Sequence, residues 1–205
     1  MPIPRKQGDH GPTSADYWSL PEGQRAELID GVLYDMTPPG RVHQKLIGEL
    51  YFALSSYVKR QNGNCEVYFA PIAVNLNADN STWVEPDVIV VCDPSKLSDR
   101  GCEGAPDLVI EVVSPSSQRM DYIRKTYRYE HAGVREYWIV DPAVQATVVY
   151  RFEEQTDTEP AGEEQLPLLR SYPFSEPIPV GIWQGDGNGD GCVIVVGDLI
   201  ASRRA

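Results

Sequence analysis

The feature that most restricts this chain is a carboxylate inside an apolar strand: Glu111, with Ile110 before it and Val112-Val113 after it. A buried, unpaired carboxylate is costly, so this side chain must be neutralised by a cation, a metal ion or a proton. Two further segments set acids against apolar residues, Glu85-Pro86-Asp87-Val88-Ile89-Val90-Val91 and Tyr137-Trp138-Ile139-Val140-Asp141. Geometry selects the partner of Glu111. Asp107 and Glu111 face the same side of one strand but lie about 13 Å apart at ~3.3 Å per residue, too far to share an ion. A residue directly across on a neighbouring strand has its Cβ only about 5 Å away. Asp87, near the start of the preceding strand, can take that position. Asp87 and Glu111 then suit one hard cation, with the Val112 carbonyl and waters completing its shell. A structural salt bridge for Glu111 stays open as the alternative.

With 205 residues, 41% hydrophobic and 23% charged, the chain fits one soluble globular domain. No apolar run approaches the ~20 residues that span a bilayer. The opening residues carry a basic pair with no apolar stretch behind it, so a cytoplasmic protein with no membrane partner is expected. The net charge of −12 argues against gripping nucleic acid by bulk electrostatics. It does not exclude local action, because an acidic cation site adds negative charge by design. Cys65, Cys92, Cys102 and Cys192 form no Cys-x-x-Cys pair, and reduced structural thiols are expected.

Residues 1–20 read as a loose polar arm and 21–205 as a single domain in which 153–190 is mostly loop. Asp30-Gly31 supplies the positive φ angles of a tight hairpin turn between strands at 26–29 and 32–36. Leu46, Ile47, Leu50, Phe52, Leu54 and Val58 recur at helical spacing over 42–61. Strands are expected at 65–76, 82–92 and 106–113, then a helix over 118–132. Ser116 or Ser117 can cap that helix, and Gly133 stops it. Strands at 136–140, 147–152 and 192–196 complete the chain. This order implies an α/β fold: a central mixed β-sheet flanked by helices on both faces, with an N-terminal β-hairpin.

The same residues carry a resemblance. Pro86-Asp87 and, twenty-four positions on, Glu111 are similar to the PD-(D/E)XK nuclease signature on its two adjacent strands. The string Ala105-Pro106-Asp107-Leu108-Val109-Ile110-Glu111-Val112-Val113-Ser114-Pro115-Ser116 resembles the bacterial Uma-type endonuclease family. So does Gly133-Val134-Arg135-Glu136-Tyr137-Trp138-Ile139-Val140-Asp141-Pro142, and Glu27-Leu28-Ile29-Asp30-Gly31 and His43 match that family's opening. The likeness spans roughly residues 25–152. It implies a restriction-endonuclease-like fold and a metal-dependent endonuclease hydrolysing phosphodiester bonds in DNA. Asp87 and Glu111 are then the metal ligands and Mg²⁺ or Mn²⁺ the cofactor. DNA is the implied partner, and a homodimer is compatible with the reading.

One position departs from the superfamily pattern. Its lysine lies two residues after the glutamate, where this chain has Val113, which can neither stabilise an attacking hydroxide nor contact phosphate. The resemblance implies that Lys125, from the next helix, substitutes as a catalytic residue. Spacing alone reads Lys125 as a surface partner of Asp121, four residues earlier. On the catalytic reading, Lys125→Ala abolishes cleavage while stability stays nearly unchanged. The rival is a nucleic-acid-binding or interaction module that keeps the fold without turnover, which Val113 and the low pI support. A second rival is a metal hydrolase of small phosphate esters, which needs a closed pocket.

Weaker signals surround these. Arg119, Arg124, Lys125 and Arg128 are a basic patch for phosphate or an ordinary solvated face. Tyr122, Tyr127 and Tyr129 are expected to pack more than to stack on bases. Glu27 is a candidate fourth acid, His43 a candidate base or a cap. Residues 186–191 begin like an EF-hand loop but lack its closing glutamate, so a turn-rich loop is expected.

Overall fold

The computed structural model describes residues 11–79, 81–115, 117–152, 168–183 and 191–201. Helix α1 (Ser14–Trp18) leads into a hairpin of β1 (Ala26–Ile29) and β2 (Val32–Asp35). Asp30 and Gly31 have φ of 53° and 68°, the doubly positive turn that Asp-Gly favours. Helix α2 (Arg41–Arg60) buries Leu46, Ile47, Leu50, Leu54 and Val58, and leaves Phe52 exposed.

The two long strands expected next each break in two. β3 (Glu66–Phe69) and β4 (Val74–Asn75) flank Pro71, while β5 (Trp83–Val84) and β6 (Val88–Val91) flank Pro86. Proline has no N–H to give a ladder, and on either side of it the halves join different sheets. β7 (Leu97–Ser98), β8 (Gly101–Glu103) and β9 (Leu108–Val112) follow. A π-helical turn (Met120–Lys125) runs into α3 (Thr126–Ala132), which Gly133 ends at φ 89°. β10 (Glu136–Asp141), β11 (Ala146–Arg151), β12 (Leu168–Pro173), β13 (Ile178–Pro179), β14 (Val193–Ile194) and α4 (Val196–Ile200) complete the described chain.

Among the described residues two six-stranded mixed sheets form, β2-β1-β5-β4-β8-β7 and β12-β11-β10-β9-β6-β3. The α/β class and the hairpin are as expected, but the single central sheet is two. Strand alternation sorts the second sheet. Val88, Val90, Leu108, Ile110 and Val112 pack on α2, whereas Ile89, Val91, Val109 and Val113 face Tyr129 of α3 and Ile29, Val74 and Val84 of the first sheet. Helices therefore cover both faces, and the first sheet shares one of them. The parallel pair β9 and β10 is joined through the π turn and α3, so this crossover lies over the face that holds Val109 and Val113.

Four further expectations need correction. The arm over 1–20 contains a docked helix, because Tyr17 is buried and stacks on Trp83 at 5.7 Å. Cys65 and Cys92 are not reduced thiols but a disulfide, joining the residues that flank β3 and β6 where the register brings them opposite. Cys102 and Cys192 are free and buried. The last strand is only two residues long, and Val196 already begins a helix. Within the stretch expected as mostly loop, β12, β13 and a 3₁₀ turn at Gly181–Trp183 appear. Residues 153–167 and 186–190 lie outside the described residues.

Candidate active site

The register of β6 against β9 pairs Val88 with Ile110, so Asp87, one residue before β6, falls opposite Glu111. Both share the strand parity of Ile89 and Val109, which lie in the core facing α3. Asp87 Oδ2 accepts the N–H of Val112 at 2.7 Å, which holds the two strand ends together at this point. Asp107 is engaged elsewhere: its Oδ2 accepts the Cys92 N–H at 2.7 Å and its Oδ1 faces Arg135 at 3.2 Å.

Lys125 comes to Glu111 from the π turn. Its Nζ lies 2.9 Å from Glu111 Oε1, 2.9 Å from Glu27 Oε1 and 3.6 Å from Asp121 Oδ1. The surface pair read from spacing is thus buried, with Asp121 2% and Lys125 5% exposed. The wider π turn explains the placement, since it brings residues four apart close to one line along the helix. Asp121, Lys125 and Tyr129 all point inward, and the Tyr129 hydroxyl donates to Glu111 Oε1 at 2.7 Å. The spacing i, i+4, i+8 of these three was the available signal for Asp121 and Tyr129; it was missed because neither type is diagnostic alone. Glu27 joins through β1, its Oε1 also accepting the Glu85 N–H at 3.0 Å.

Charge in this cluster is unbalanced. Burial raises the Glu111 pKa well above the usual carboxylate range; Lys125 opposes the shift, and Asp121, Asp87 and Glu27 reinforce it. Asp121 is pushed to about 6 by burial, with Lys125 and Ser117 opposing. Burial works against the Lys125 ammonium, but Glu111, Glu27 and Asp121 outweigh it and hold the amine charged. Among the described residues the four acids Glu27, Asp87, Glu111 and Asp121 face one lysine and one histidine. His43 Nε2 sits 3.3 Å from Asp87 Oδ2, and its buried Nδ1 has no hydrogen-bond partner among the described residues. Burial lowers the His43 pKa, but Asp87, the Val112 carbonyl and Asp121 outweigh it and raise it.

Among the described residues no three His, Cys, Asp or Glu side chains already converge as an ion cage. The donors nevertheless fit a hard divalent cation. Asp87 and Glu111 offer carboxylates, Val112 a carbonyl and His43 a ring nitrogen, while Asp121 Oδ1 is buried and, among the described residues, has no hydrogen bond. The negative charge that Lys125 leaves in excess among these acids is what a bound cation would neutralise.

The basic patch is largely consumed. Lys125 points inward, Arg128 pairs with Asp30 at 2.6 Å, and Arg124 donates to the Tyr34 hydroxyl and lies over its ring. Tyr127 is exposed against His131, Tyr122 is half-buried, and Tyr129 is buried as a ligand of Glu111. Because Lys125 holds three carboxylates, the expectation that its removal leaves stability unchanged does not survive.

Three likenesses bear on this site. A family model described as "Uma2: Putative restriction endonuclease" matches residues 14–181. An uncharacterised protein of Synechocystis sp. (strain PCC 6803) is 29% identical over 115 residues, 56% of this chain and 58% of that protein. The alignment thus spans little more than half the length of that relative. A crystal structure of "a putative nuclease belonging to DUF820" from Anabaena variabilis superposes with a TM-score of 0.67 at 20% identity. It covers 91% of this chain and 96% of that one, a likeness of fold. The two mixed sheets with few helices match that restriction-endonuclease-like fold.

Proposed function

Since the chain belongs to the Uma2 family, we propose that it is a metal-dependent endonuclease hydrolysing phosphodiester bonds in DNA. One observation carries the reading: a buried ammonium, Lys125 Nζ, 2.9 Å from Glu111 although Val113 stands at the usual lysine position. Asp87 and Glu111 would hold Mg²⁺ or Mn²⁺, with Val112 and His43 as further donors. A cation there supplies charge stabilisation for the phosphate. The protein's own groups do the rest. Among the described residues Lys125 Nζ has two carboxylate oxygens at 2.9 Å and the third, Asp121 Oδ1, at 3.6 Å, so the N–H facing Asp121 is the one that would turn to the attacking water or the phosphate. Tyr129 and Glu27 fix the positions of Glu111 and Lys125, so the site is organised before substrate arrives.

The rival module without turnover rests on Val113 and the low pI; the position of Lys125 beside Glu111 weakens the first of these supports and leaves the second. The test is incubation of the protein with plasmid, single-stranded DNA and RNA, each with Mg²⁺, Mn²⁺ or EDTA. Cleavage of DNA is expected with either metal and not with EDTA, and Asp87→Asn or Glu111→Gln should abolish it. Cleavage that persists in EDTA, or in Glu111→Gln, would overturn the proposal.

A further inference from the structure

The aromatic cluster around Trp18 and Trp83 takes no part in the chemistry above, yet it is built like a receiving surface. Trp83 is 4% exposed and its Nε1 donates to Ser14 Oγ at 2.6 Å, whereas Trp18 is 45% exposed. Their rings meet at 5.1 Å and 81°, forming a corner of two nearly perpendicular indoles, with Tyr17 stacked beneath Trp83. Arg100 places its guanidinium 5.8 Å from the Trp18 ring, and among the described residues it has no ion-pair partner within 4 Å. The depression here measures about 600 Å³, and Asn75 and Glu103 line it with polar groups.

We propose that this corner stacks an unpaired nucleobase of the substrate, which deepens the nuclease reading and rests on it. A base in a duplex has both faces covered by its neighbours, so an aromatic shelf selects strands that are single or locally opened. The guanidinium of Arg100 adds a cation for the adjoining phosphate or for the stacked ring. The shelf is also joined to the site. Trp83 and Asp87 lie four residues apart on one segment, a reach of at most about 14 Å. Tyr17, packed on Trp83, donates its hydroxyl to Glu85 Oε1, and the Glu85 N–H donates to the same Glu27 Oε1 that contacts Lys125. A base held on Trp18 would therefore be registered against the candidate reacting phosphate through a continuous chain of contacts.

Binding of labelled short oligo(dT), oligo(rU) and blunt DNA duplex, with Ca²⁺ replacing Mg²⁺, tests the shelf, together with quenching of tryptophan fluorescence. The intact chain should prefer the single strands to the duplex and show quenching with them. Trp18→Ala should weaken single-strand binding about tenfold, with Trp18→Phe recovering most of it. Arg100→Ala, which leaves the aromatic packing in place, should weaken it too. Single-strand binding unchanged in both Trp18→Ala and Arg100→Ala, or equal affinity for blunt duplex, overturns the shelf. The two readings fail separately. Metal-dependent plasmid cleavage with no effect of Trp18→Ala or Arg100→Ala on binding sinks only the shelf, whereas Trp18-dependent binding without cleavage of any substrate sinks only the nuclease.

Discussion

Lys125 is a buried side chain that faces three carboxylates and that, on the proposed reading, also serves the chemistry. It is the only lysine or arginine in contact, among the described residues, with Glu27, Glu111 and Asp121. Lys125→Met should leave those carboxylates uncompensated and destabilise the fold by roughly 3–5 kcal/mol. Thermal melting at neutral pH should fall by about 10 °C; a melting temperature equal to the parent's would mean that the acids are already protonated without it. Glu111→Gln should act in the opposite sense in the absence of metal, because it imitates the protonated carboxyl that burial favours. It should melt at or above the parent in EDTA and lose the stabilisation that Mg²⁺ gives the parent. A clearly lower melting temperature in EDTA would point to a structural ion pair. The pH dependence follows from Asp121. Its folded pKa of about 6 exceeds the unfolded value of 3.8, so the native state binds the proton more tightly. The associated stability, at most about 3 kcal/mol, is present below pH 4 and lost as pH rises through 6. Metal-free protein should therefore resist urea better at pH 5 than at pH 7.5, and Asp121→Asn should flatten that slope.

At the scale of elements, strands that change sheets and a π turn determine what meets what. β3 and β6 continue across Pro71 and Pro86 into β4 and β5 of the other sheet, so the segment of Asp87 lies at the junction between sheets. The Cys65–Cys92 bridge ties β3 to β6 at the end of the pair away from this junction and closes a 27-residue separation. Restricting the unfolded chain by such a loop is worth about 2–4 kcal/mol. Denatured, unreduced protein should show two free thiols, Cys102 and Cys192, and reduction should lower the urea midpoint accordingly. Four free thiols after purification under oxidising conditions would refute the bridge.

For the whole molecule, charge dictates how a nucleic acid can be held. A chain of net charge −12 whose helical arginines are largely occupied has few cations to release counterions from phosphates. Binding should thus depend weakly on salt, with a log–log slope of about −2 to −3, matching two or three phosphates. A slope near −8 would reveal an extensive basic surface. No described helix is long and apolar enough to cross a membrane.

Much of the site was legible along the chain. The apolar flanks of Glu111, the strand rise that excluded Asp107 and the pairing distance that selected Asp87 are local, because strand periodicity turns sequence position directly into face and distance. The Asp-Gly hairpin, α2 and the stop at Gly133 were readable for the same reason: each depends on residues within a turn or two. Lys125 was placed at the site only through family likeness, since its spacing to Asp121 fits a surface pair equally well. Glu27 and His43 were candidates along the chain, but only the tertiary structure set Glu27 of β1 on Lys125, His43 of α2 on Asp87 and Tyr129 of α3 on Glu111. It also paired Cys65 with Cys92 and divided the expected single sheet into two. These contacts join residues far apart in sequence, and their energies come from burial and charge that exist only once the elements have packed.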